Sequence, residues 1–165
     1  MTTAGSTSGL RGDAPSYEYI TTKQPVIYGS GATRSLIDSE SGSNVLFDRA
    51  AGTIFTLPVA VPGMTFTFLT NVLSTANAIV TNIGTSTPVI IGGLINTSAL
   101  ALSAGSMYTS NGGNKNVRIT MNGTTTGGIE GSKIVLTALS SGTWFVSGTL
   151  IGSGLMVTPF SSYSA

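Results

Sequence analysis

Asp38 and Glu40, two residues apart, with Asp48 a short way on, come closest in this chain to a group that could do chemistry. On an extended strand, residues two apart point the same way, so these carboxylates could gather a hard cation such as Ca2+. A solvated loop is the simpler expectation. Glycoside hydrolysis would need a carboxylate pair facing across a sugar, and Asp and Glu together number only 6, mostly near the N-terminus. Histidine and cysteine are both absent. That excludes a Cys/His zinc site, a disulfide, a Ser-His-Asp or Cys-His nucleophile and a histidine base. The chain is expected not to be an enzyme and to carry no cofactor or metal.

The glycine-rich motifs are equally bare of chemistry. Gly127-Gly128-Ile129-Glu130-Gly131-Ser132-Lys133 departs from the G-x-x-x-x-G-K-[ST] spacing, and no helical pattern follows it. A hairpin turn is expected there. Gly152-Ser153-Gly154 lacks the βαβ setting of a dinucleotide site, and no G-x-S-x-G elbow occurs. Arg11-Gly12-Asp13 is the tripeptide integrins recognise, but in a Gly/Ser-rich leader it reads as a solvated turn. Asn96-Thr97-Ser98 and Asn122-Gly123-Thr124 fit the glycosylation acceptor pattern and read as turn residues. The lone Trp144, on a late strand, is expected to anchor the core, with carbohydrate stacking as the alternative.

Charge narrows the classes further. Only 8% of the 165 residues are charged, where about 25% is usual, and the net charge is +1. A basic nucleic-acid clamp needs many Lys and Arg contacts, so no direct nucleic-acid partner is expected. With 41% hydrophobic residues, the composition argues against native disorder. The start shows no apolar core of a secretory signal, and the apolar windows are too short for a membrane-spanning helix. A soluble protein made and used without export by this route, with no membrane partner, is the expectation.

Nine of the thirteen charged residues lie between Arg11 and Arg49, and none falls between Arg49 and Lys115 or after Lys133. Residues 1–33 are rich in Gly, Ser and Thr with a few apolar anchors. They read, with Arg34 just beyond, as an extended arm that orders on a partner through Leu10, Arg11, Tyr17, Tyr19, Tyr28 and Arg34; a free leader is the plain alternative. The division is set as an arm over residues 1–43 and a folded domain over residues 44–165.

From Asn44 onward the pattern is of short strands. Met64, Phe66 and Phe68 alternate with Thr65 and Thr67, and Arg118 and Thr120 alternate outward between Val117, Ile119 and Met121. Pro58 ends the run Thr53-Ile54-Phe55-Thr56-Leu57. Turns are expected at Pro62-Gly63, Gly92-Gly93, Asn111-Gly112-Gly113, Asn122-Gly123, Gly127-Gly128 and Ser141-Gly142. Strands of four to seven residues with regular turns predict an all-β fold, an antiparallel β-sandwich or jelly-roll-like barrel. Phe66, Phe68 and Trp144 are its expected core anchors. Asp48 and Arg49, an adjacent acid–base pair, are expected to fix a strand end or a subunit contact. A surface of hydroxyls can be desolvated far more cheaply than one of ions, which suits a component packed against neighbours.

Asn44-Val45-Leu46-Phe47-Asp48-Arg49-Ala50-Ala51-Gly52-Thr53-Ile54-Phe55-Thr56-Leu57-Pro58, then Pro62-Gly63-Met64-Thr65-Phe66-Thr67-Phe68, resembles the opening of a family of small tailed-bacteriophage virion proteins. The late segment Leu139 to Gly148, with its Gly142-Thr143-Trp144-Phe145-Val146-Ser147-Gly148, is similar to a strand near the end of that family's domain. The resemblance covers roughly residues 45–148 and implies a capsid decoration (cement) protein, an oligomeric β-sandwich on the outer shell. The implied partners are the major capsid protein and further copies of the chain, as a homotrimer or homodimer. The expected function is to bind the outer capsid surface and stabilise capsomer contacts. The alternative is a fibre or tail-tip module that binds a host glycan through Trp144 or exposed tyrosines.

Overall fold

The structure, a computed structural model, describes residues 23–81, 88–100 and 104–162. Among them run twelve strands: β1 (Val26–Tyr28), β2 (Thr33–Ser35), β3 (Asn44–Phe47), β4 (Ile54–Thr56), β5 (Thr65–Thr70), β6 (Asn77–Val80), β7 (Val89–Ser98), β8 (Ser106–Ser110), β9 (Asn116–Met121), β10 (Lys133–Ser140), β11 (Thr143–Gly152) and β12 (Phe160–Ser162). Two short 3-10 turns, Asp38–Glu40 and Gly112–Asn114, are the helical elements described. The strands form a seven-stranded sheet, β1-β3-β5-β10-β11-β7-β8, and a five-stranded sheet, β12-β9-β6-β4-β2. The two pack face to face as an all-β sandwich.

The first six strands alternate between the sheets. β1, β3 and β5 lie side by side in the larger and β2, β4 and β6 in the smaller, each neighbouring pair parallel. The chain thus winds as a flattened coil whose turns stack on one another. Later strands pair antiparallel, except β7, which runs parallel to β11. The expected antiparallel sheets are therefore corrected to mixed ones, and a jelly roll, which is antiparallel, does not describe them. Hydrophobic alternation sets which face is buried but says nothing about a strand's partner.

Each strand earns its place through one apolar face. In β5, Phe66 and Phe68 are buried while Thr65, Thr67 and Leu69 are only half covered. Phe47 and Phe68 from the larger sheet meet Phe55 from the smaller with ring centroids 5.2–5.9 Å apart. Each such pair contributes about 0.5–1.5 kcal/mol beyond area burial. Trp144, wholly buried, packs on Phe66 at 6.1 Å.

Other expectations need revision. Residues 26–43, assigned to the arm, contribute β1, β2 and a 3-10 turn to the sheets, because Ile27 and Leu36 are buried in the common core. The Gly92-Gly93 turn is instead the middle of β7. Gly92 has φ +120°, and a Cβ there would sit on the Val146 carbonyl oxygen, so glycine lets β7 close onto β11. The run Leu155 to Phe160 is irregular until β12 begins.

Candidate interaction surface

Strand register makes visible a surface that no motif announces. One transverse row on the outer face of the larger sheet crosses all seven strands: Tyr28, Leu46, Leu69, Lys133, Thr149, Ile95 and Met107. Phe145 lies beside Ile91 and Thr137 on the same face. Tyr28 is 55% exposed, Ile95 47%, Met107 67% and Phe145 41%. Lys133 is the one charged residue in the seven strands. Seven strands at about 4.8 Å spacing make a face roughly 30 Å across, its longest strands running about 33 Å. Exposed apolar side chains gathered in one row make this face the candidate for an interaction surface.

These residues escape sequence reading because Leu46, Ile91, Ile95 and Phe145 look like core. One signal was available: in Val89-Ile90-Ile91 and Trp144-Phe145-Val146 neighbouring residues are all apolar, which means a strand buried on both faces or one with an apolar outer face. The inner face takes Ile90, Trp144 and Val146, all fully buried.

Of the residues singled out by type, Tyr28, Arg34 and Glu40 meet at one edge of the sandwich, and Phe66 meets Trp144 in the core. Tyr28 ends β1 on the apolar face. Arg34, the middle residue of β2, pairs across its sheet with Phe55, then Ile79, Ile119 and Phe160. Its guanidinium therefore stands where this row otherwise holds buried apolar side chains. It is paired there with Glu40, and it donates a further bond to the Tyr28 carbonyl. Glu40 in turn accepts from the Ile37 N–H at 3.0 Å. This ion pair borders an open groove of about 450 Å3 lined by Ser30, Gly31, Thr33, Ser35 and Ile37. Leu10, Arg11, Tyr17 and Tyr19 lie outside the described residues.

Asp38 and Glu40 occupy a 3-10 turn and not a strand, so the shared carboxylate face does not form; Glu40 is consumed by Arg34. Among the described residues no three His, Cys, Asp or Glu side chains gather as a metal site. Arg49 follows β3 and donates to the Gly52 carbonyl at 2.7 Å, while the Gly52 N–H donates back to Arg49 at 2.8 Å. Arg49 thus locks the turn between β3 and β4. The Asp48 Oδ1 beside it is buried without a partner. Trp144 is fully buried and is unavailable to a sugar. Asn96, within β7, is buried too, donating to the Thr125 and Val157 carbonyls, so it is not a turn residue. Asn122 does start a turn, and its Oδ1 gathers the N–H groups of Thr124, Thr125 and Thr126.

Glu130 accepts hydrogen bonds from its own N–H and from the Leu73 N–H at 2.9 Å, which hold its carboxyl below the usual range. This exposed clamp ties the loop after β5 to the turn before β10. Among the described residues no helix is long and apolar enough to cross a membrane. Comparison with protein-family models, with curated proteins and with solved structures finds no match for this chain.

Proposed function

We propose that this chain is a structural component of a bacteriophage particle, which binds the outer surface of the assembled capsid and stabilises contacts between capsomers. The observation that carries this reading is the outer face of the seven-stranded sheet, broad, apolar and hydroxyl-rich with the single charge of Lys133. Such a face loses little on desolvation and gains wherever a neighbour covers it. A protein that binds only the assembled shell raises the shell's stability by mass action. The motif resemblance over residues 44–68, which build β3 to β5 and their connections, favours the same reading.

The test uses shells of the parent phage assembled without this protein. Saturable co-sedimentation and a raised shell melting temperature are expected; neither occurring overturns the proposal. A second reading, a fibre or tail-tip module that binds a host glycan, is favoured by Tyr28 and Phe145, exposed rings on which a sugar could stack. Binding to host cells or glycans with no effect on shell heat stability would select it.

A further inference from the structure

The sequence contains two Asn-Gly pairs, Asn111-Gly112 and Asn122-Gly123. An asparagine before glycine is open to attack by the next residue's backbone nitrogen, because glycine has no Cβ to obstruct the approach. The two sites sit in opposite surroundings. Asn111 and Gly112 are exposed at the turn that carries the chain from β8 to β9. One bond restrains the Asn111 side chain, an acceptance from the Asn114 N–H at 3.1 Å. At the second site the Gly123 N–H already donates to the Gly127 carbonyl at 2.7 Å, and Gly123 is buried. The Asn122 amide is held at both ends: its Nδ2 donates to Thr125 Oγ1, and its Oδ1 accepts from Thr124 Oγ1 and from three backbone N–H groups.

We propose that Asn111 is a self-modification site, converted in the folded protein to aspartate and isoaspartate, while Asn122 is protected by its own turn. The Gly112 nitrogen attacks the Asn111 side-chain carbonyl carbon, a C–N bond forms, and the amide nitrogen departs as ammonia with the proton Gly112 gives up. Water then opens the cyclic imide at either carbonyl. No electron transfer is involved, and water is the one co-reactant. The new carboxylate cancels the net charge of +1 and lies four residues from Lys115. Aspartate keeps an acceptor for the Asn114 N–H; isoaspartate adds a methylene to the main chain and dismantles the turn that links the two sheets. The inference is independent of the virion reading.

The full chain is incubated at mildly alkaline pH, digested with trypsin and read by mass spectrometry, with fragmentation separating isoaspartate from aspartate. The two asparagines fall in different tryptic peptides, because Lys115 and Arg118 lie between them. In the folded protein Asn111 is expected to convert steadily while Asn122 keeps its amide; in urea both convert at similar rates. A Cβ on Gly112 meets nothing within 4 Å and its φ is ordinary. Gly112→Ala is therefore expected to keep the melting temperature and slow conversion of Asn111 by about an order of magnitude. An Asn111 that keeps its amide in the folded protein, or an Asn122 that converts as fast as Asn111 there, overturns the proposal.

Discussion

Trp144 fills the core between Phe66 and the β7 strand, and its indole N–H is buried without an acceptor. Trp144→Ala is expected to cost about 3–5 kcal/mol through the cavity it leaves. Trp144→Phe removes the orphaned donor with the ring's outer edge, offsetting about 1–3 kcal/mol, so it costs distinctly less than the alanine. Urea denaturation of the pair reads the difference; equal losses would contradict this packing. Glu130 supplies a pH effect of known sign. Its carboxyl is held low in the folded protein, so its stabilisation is complete above the ordinary glutamate pKa and fades as pH falls through the lowered value. Glu130→Gln is expected to melt below the parent at neutral pH, and the gap is expected to close in acid.

The stacked turns of β1 to β6 make a sharp prediction about the chain's beginning. Deleting residues 1–22 leaves every described strand intact and is expected to keep the melting transition. Deleting residues 1–33 removes β1 with the buried Ile27, the whole connection to β2 and Thr33, the first residue of β2. It is expected to destabilise the fold by at least the 2–5 kcal/mol of a large core truncation, so the shorter deletion is the one fit to test an arm. β5 was legible from its Phe and Thr alternation, and the end of β4 from Pro58, since both signals are local. β1 and β2 were not. Each has three residues, and β1 buries only Ile27, too little for a periodicity to register. Gly92-Gly93 read as a turn because glycine permits one; here the same freedom serves close approach between β7 and β11. The apolar face was illegible for a related reason, since outwardness follows from register, and register from partners distant in the chain.

For the whole molecule the outer face is the lever. Phe145→Asp and Met107→Asp, both at exposed positions, are expected to leave stability within about 0.5 kcal/mol while abolishing shell co-sedimentation and any self-association. Light scattering alongside a thermal melt reads both at once, and undiminished binding by the double variant would remove this face from the interface. The end of the sandwich formed by β1 and β2 behaves differently. Its strands are short, Pro25 precedes one of them, and Arg34 points inward from the other, devices that blunt a sheet edge. Growth by adding strands is refused there, like masonry finished with a coping stone: this edge is poorly made to seed a thread.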